Sequence, residues 1–271
     1  MLNRLPVGMI ILTIALSSCK TAEEAPPAAT PPPVDGNKVV ADYRALDKAR
    51  DSTMKIRANI SDTSNGSGSE YVVEMNMYRK RSSDGGQTLF IEFTRPAEER
   101  DRDVIIKVGP GGEVEATRYV QSNDSFVSTG GVMTEDSLFG MTIQEIVDGQ
   151  PEKYDFKTTR EELHDLEPVY RIEGTLKPGA QSKFPRVVLL VSKENSIVRL
   201  AEFYDSQNEL ARRLTVDIVE QVGGHWTRKQ WRIDNFSRKK RIDFVTLEAK
   251  YDQQLNDSLF SQERLKKLAT K

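Results

Sequence analysis

From Tyr71 onward the chain alternates apolar and polar side chains with a period of two, and clusters of turn-forming residues break the pattern repeatedly. Few architectures accept that. A strand sends successive side chains to opposite faces, so Tyr71, Val73, Met75 and Met77 share one face while Val72, Glu74, Asn76 and Tyr78 share the other. The pattern continues through Leu89–Phe93, Val104–Val108 and Glu113–Val120, with Ser82-Ser83-Asp84-Gly85-Gly86 and Gly109-Pro110-Gly111-Gly112 between runs as hairpin turns. Further strands are predicted at Tyr154–Thr159, Val169–Gly174, Arg186–Val191, Ile197–Tyr204, Glu209–Val219, Thr227–Asp234 and Lys239–Tyr251. Their spacing is that of a meandering antiparallel sheet rather than of strands alternating with long helices.

Three segments follow a helical period instead. Val39 to Lys55 carries Val40, Tyr43, Leu46, Ala49 and Met54 at approximately three-to-four spacing. Thr134 to Val147 places Leu138, Met141, Ile143 and Ile146 behind Thr134 or Asp136 as a cap. Near the end, Asp257 precedes Leu259, Phe260, Leu265 and Leu268, with basic residues toward the helix C-terminus.

The first residues have a different character. Arg4 is followed by an apolar run from Leu5 to Leu16 and then by Ser17-Ser18-Cys19-Lys20, the layout of a secretory signal. About a dozen apolar residues fall short of the roughly 20 that a spanning helix needs. Leu16-Ser17-Ser18-Cys19 resembles the bacterial lipobox. The resemblance implies a signal peptide over 1–18, diacylglycerol on the Cys19 sulfur, cleavage before Cys19 and acylation of the new amino terminus. Two or more acyl chains anchor stably where one does not, each buried methylene contributing about 0.8 kcal/mol. Lys20, being other than Asp, implies sorting to the outer membrane, with the protein facing the periplasm. Cys19 is the sole cysteine, so the chain has no internal disulfide, redox pair or cysteine zinc site. Residues 19–37, rich in proline at Pro26-Pro27 and Pro31-Pro32-Pro33, read as an extended tether.

The remainder, 38–271, reads as one domain. Its elements in order resemble the LolA/LolB-like lipoprotein-sorting family: an amino-terminal helix, an antiparallel meander, a helical insert midway and a closing helix. Thr88-Leu89-Phe90-Ile91-Glu92-Phe93-Thr94-Arg95-Pro96 and then Glu98 to Val108 are similar to that family's strand, proline, charged turn and next strand. Ser137 to Ile146, with Phe139-Gly140, is similar to the segment leading into its short helix, and Ile197 to Leu214 turns at Phe203-Tyr204-Asp205. Gly130-Gly131 departs from the pattern, where a regular strand with basic side chains is expected. The resemblance implies an α+β, mostly β fold: a curved antiparallel sheet forming an unclosed half-barrel, with helices over its open face and an apolar cavity for acyl chains. The lining expected from the first meander is Met75, Met77, Leu89, Ile91, Phe93, Val104 and Ile106. The insert is expected to add Leu138, Phe139, Met141, Ile143 and Ile146. Methionines suit irregular apolar shapes, although on a strand they more often fill ordinary core.

Other chemistries find little footing. Acids and bases nearly cancel, with 39 Lys and Arg against 41 Asp and Glu, which provides no field for nucleic acid. The two histidines, His164 and His225, lie far apart and outside any zinc motif. No Gly-x-Ser-x-Gly elbow is present, and Gly109–Gly112 lacks the Lys-Ser/Thr of a phosphate loop. Arg238-Lys239-Lys240-Arg241 reads as a solvated hairpin rim or a contact for anionic headgroups, and Glu98 to Asp103 as a salt-bridged turn. The expectation is therefore a non-enzymatic, lipid-anchored envelope protein without cofactor or metal. It binds lipid or lipoprotein cargo as a carrier or acceptor in outer-membrane sorting. The alternative is a structural or regulatory envelope module binding a protein partner through the same fold, and an exported hydrolase is the third reading.

Overall fold

A computed structural model describes residues 34–64, 71–111, 113–130 and 151–269. The first meander comprises β1 (Asp51–Asp62), β2 (Tyr71–Arg81), β3 (Gln87–Arg95), β4 (Val104–Val108), β5 (Val114–Val120) and β6 (Ser125–Gly130). The second comprises β7 (Tyr154–His164), β8 (Glu167–Leu176), β9 (Arg186–Ser192), β10 (Val198–Tyr204), β11 (Leu210–Val222), β12 (His225–Asn235) and β13 (Lys240–Tyr251). Among the described residues two α-helices flank them, α1 (Gly36–Ala45) and α2 (Gln262–Ala269).

All thirteen strands form one antiparallel sheet in the order β6-β5-β4-β3-β2-β1-β13-β12-β11-β10-β9-β8-β7. Each neighbouring pair is a sequential hairpin except β1 with β13, where Ser52 faces Tyr251 and Asp62 faces Lys240. The sheet is not closed, and β6 and β7 are its edges. Register shifts at Lys55/Ile56, Glu74/Met75, Thr158/Arg160 and Phe203/Tyr204 mark bulges that add to the natural twist and curl the sheet.

The predicted alternation is realised. On the concave face, Ile56, Val73, Met75, Leu89, Ile91, Phe93, Val104 and Ile106 build one buried cluster that extends across the seam to Ile242 and Phe244. A second, on the other meander, gathers Tyr154, Phe156, Ile172, Val187 and Val198 beneath Val39 and Val40 of α1. The helices divide between the faces. While α1 lies over the concave side, α2 inserts Leu265 among Phe90, Ile105 and Tyr119 on the opposite, convex side.

One sequence reading shifts. The helix predicted over 39–55 is Gly36–Ala45, and residues from Asp51 onward already belong to β1. The expected mid-chain helix over 134–147 lies outside the described residues. The turn after β3 is a 3-10 helix, Ala97–Arg102, with Glu99 and Arg102 paired at 2.5 Å. Its last acid behaves differently: Asp103 is 5% exposed and accepts the Phe93 N–H at 2.7 Å.

Burial pushes the Asp103 carboxyl up to about 7. The Phe93 N–H opposes that shift, and the nearby Glu92 carboxylate adds to it. In the unfolded chain an Asp titrates near 3.9. Between about pH 4 and pH 7 the folded state therefore holds more protons, and stability falls as pH rises through that window. Asp103→Asn keeps a carbonyl for the Phe93 N–H and removes the charge. Urea denaturation of the unmodified protein should lose about 1–3 kcal/mol between pH 5 and pH 8 from this group. The variant should lack that slope, and an identical slope in both proteins would refute the assignment.

Candidate functional site

The two concave-face clusters do not merge. Leu214 packs against both, and beside it a cavity of about 400 Å³ remains, within the range of pockets that hold small ligands. The first meander presents Ile56, Met75, Met77, Leu89 and Ile91 to it; the second presents Phe156, Leu189, Ala201, Phe203 and Leu214. Trp231 lies along the wall, stacked on Phe244 with ring centroids 3.8 Å apart. Several of these side chains (Met77, Leu189, Phe203, Leu214 and Trp231) are only half-buried although they point inward. An apolar concavity of this size, open to solvent on one side, is a candidate ligand site.

The helix α1 crosses this concavity as a strap, and its two ends are fastened by different chemistry. Asp35 caps the N-terminus by accepting the Asn37 N–H at 3.0 Å. Asn37 Oδ1 in turn accepts the Phe156 N–H of edge strand β7 at 3.0 Å. Gly36 makes this approach possible, because a Cβ there would stand 2.8 Å from the Lys157 backbone. Midway, the Tyr43 hydroxyl accepts from Arg228 Nη2 on β12 at 2.8 Å. Just beyond the helix, Asp47 pairs with Arg79 and, at 2.7 Å, with Arg81, both on β2. Burial raises the Asp47 carboxyl, but the Arg79 and Arg81 guanidiniums outweigh it and hold the group below the usual carboxylate range.

A second lobe of about 490 Å³, with Leu46, Met54, Ile197 and Trp226 in its wall as well as a polar side, lies under this end of the strap. Arg44, Arg79, Arg81, Arg228 and His225 line it together with Ser52, Thr227 and Tyr251. His225 donates to or accepts from Asp252 at 3.2 Å and stacks on Tyr251 at 4.6 Å. Tyr43, Arg44, Ile56, Met77, Arg228 and Trp231 border both lobes, so the two spaces adjoin.

Of the residues expected to line a cavity, Met75, Met77, Leu89 and Ile91 do so. Phe93, Val104 and Ile106 are on the same face but are packed into the first cluster. Leu138, Phe139, Met141, Ile143 and Ile146 lie outside the described residues. The whole contribution of α1 and of the second meander was missed. On the second meander the run Ile197, Val198, Leu200, Phe203 and Tyr204 is apolar on both faces of one strand, and Val198 and Phe203 of it line the cavity. Among the described residues, no group of three His, Cys, Asp or Glu is placed to hold a metal ion.

Residues 85–267 match a family model described as an uncharacterized protein, and the chain belongs to that family. A domain from Vibrio parahaemolyticus, named for outer membrane lipoprotein sorting, superposes with a TM-score of 0.75 at 16% identity, covering 85% of this chain and 98% of that one. A LolA superfamily protein from Nitrosomonas europaea gives 0.61 at 14%, covering 86% and 100%. The fold is LolA-like. A DUF1329 family protein from Desulfovibrio piger shares it, with a TM-score of 0.72 at 20% identity over 84% of this chain and 96% of that one. No curated protein matches the sequence significantly. The likeness covers nearly the whole length of all three solved structures.

Because Gly36 sets how closely the strap approaches β7, Gly36→Ala should lift its N-terminal end. We expect a stability loss of about 1–3 kcal/mol, the usual cost of overpacking. Faster hydrogen exchange should appear in α1 and at Phe156, with the first meander unaffected. Unchanged protection of α1 would disprove the close-approach argument.

Proposed function

We propose that the chain is a lipid-anchored envelope protein whose apolar cavity takes up acyl chains, serving as a carrier or acceptor in outer-membrane lipoprotein sorting. One observation carries this reading: the curved sheet has more apolar interior than its own side chains fill, on the face spanned by α1. Each methylene moved from water into such a space contributes about 0.8 kcal/mol, so a hydrocarbon chain binds there without a covalent step or metal. The LolA-like fold supports the same reading, as does the sorting role in the name of the Vibrio relative. Cys19, lipidated on sulfur and amino terminus, would hold the protein at the periplasmic face of the outer membrane, with residues 19–37 as the tether. The function is one of binding, with no catalytic residues assigned.

Two measurements test the proposal. A chain starting at Lys20 retains the whole compact unit from Pro33 to Lys271. It should take up a fluorescent long-chain fatty acid with a change in Trp231 emission, and native mass spectrometry should find bound lipid. Met77→Trp, at a half-buried wall position, should lower uptake at least tenfold with strand content unchanged. A chain that binds no lipid by either measurement would leave only the partner-binding reading, which a stoichiometric protein partner retained after delipidation would establish. Separately, the full chain should incorporate radiolabelled palmitate and Cys19→Ala should abolish the label; equal labelling of both proteins would refute the anchor.

A further inference from the structure

The polar lobe has a charge pattern that acyl binding alone does not require. Four arginines line it, Arg44, Arg79, Arg81 and Arg228, against one lining carboxylate, Asp47. In a chain of net charge −2, this wall is locally cationic. Asp47 is shared between Arg79 and Arg81, so one carboxylate faces two guanidiniums. Arg79 Nε is buried with no hydrogen-bond partner. Arg228 meets the neutral Tyr43 hydroxyl, and Arg44 lies 3.6 Å from Glu152. A guanidinium presents donors in a fork that suits phosphate and carboxylate oxygens, and its preference for such a partner grows as solvent is excluded.

We propose that this lobe is a headgroup site and that the cargo is an anionic amphiphile, with its phosphate or carboxylate among Arg79, Arg81 and Arg228 and its hydrocarbon chain in the adjoining apolar cavity. The inference rests on the acyl-binding part of the proposed function and departs from it in the cargo, an acidic lipid in place of a lipoprotein. Tyr43, Arg44, Met77, Arg228 and Trp231 border both spaces, so a head in one lobe leads directly to a tail in the other. An N-acylated diacylglyceryl cysteine, the lipid end of a lipoprotein, carries no charge at its head. Such cargo would leave the guanidiniums without a counterpart, whereas a fatty acid or an acidic phospholipid supplies one.

The test compares two probes that differ only in charge, a dansyl-labelled long-chain fatty acid and its methyl ester, titrated into the chain starting at Lys20. The acid should bind at least tenfold more tightly than the ester at low salt, with the difference shrinking at high salt. Arg81→Gln and, separately, Arg228→Gln should narrow it to less than threefold. Because the acid–ester comparison is made first on the unmodified protein, poor folding of a variant does not decide the result. Equal affinity for acid and ester overturns the headgroup site and leaves the acyl cavity standing. If neither probe binds, the cavity reading falls as well. Millimolar inorganic phosphate should not displace the acid; full displacement would assign the lobe to a free anion and overturn the amphiphile.

Discussion

The pairing of β1 with β13 makes one sheet out of two meanders. Every other strand contact joins neighbours in sequence, but this one brings together Ser52 and Tyr251, Ile60 and Ile242, residues nearly two hundred positions apart. Loop closure over such a span is entropically costly and is recovered only once the contacts have formed. The seam is accordingly reinforced at its end: Asp51 is buried and accepts the backbone N–H groups of Gln253 and Leu255, while Asp252 accepts that of Arg50. With the seam in place, the first cluster runs across it from Ile56 and Ala58 to Ile242 and Phe244. Without it, each meander would present an apolar face to water.

The same seam explains why space is left over. Curvature brings the two apolar clusters face to face, yet the residues between them are either small, as Ala201 is, or held against their own strand, as Trp231 is by its stack on Phe244. A sealed, empty hole of about 400 Å³ would cost on the order of 10 kcal/mol at roughly 24 cal/mol per Å³. That is comparable with the whole stability of a domain. A fold that keeps such a space therefore keeps it occupied, by solvent or by a guest. The half-buried state of Met77 and Leu214 fits a wall made to exchange one for the other.

What could be read in the sequence follows from what is local. Alternation fixed the strands of the first meander and correctly put Met75, Met77, Leu89 and Ile91 on one face. It failed at β1, because Ala49 and Met54 extend the helical spacing of α1 by chance, while Met54, Ile56, Ala58 and Ile60 carry the true period of two. It could not distinguish Phe93 and Ile106, which fill core, from Ile91, which faces open space, since the difference lies in what stands opposite them. The arginines of the polar lobe were equally hidden. Arg44, Arg79, Arg81 and Arg228 come from a helix and two strands, and only the seam brings β12 within reach of β2.

The strap joins these threads. At ten residues α1 is too short to be a stable helix alone, so its helicity depends on what it docks against. Its first turn is secured by Val39 and Val40 in the second cluster and by the Gly36 approach to β7, interactions that water does not weaken. Its far end is held by Asp47 with Arg79 and Arg81, in a setting where both Asp47 and Arg81 are more than 40% exposed. Exposed ion pairs of this kind are individually worth about 0–1 kcal/mol and are screened by salt. The Arg79 pair is more sheltered, Arg79 being 15% exposed and reaching both Asp47 oxygens, so the far end combines one screened and one protected ion pair. An anionic head in the cationic lobe would compete directly with Asp47 for the same guanidiniums, and so would act on the end of the strap that ion pairs hold.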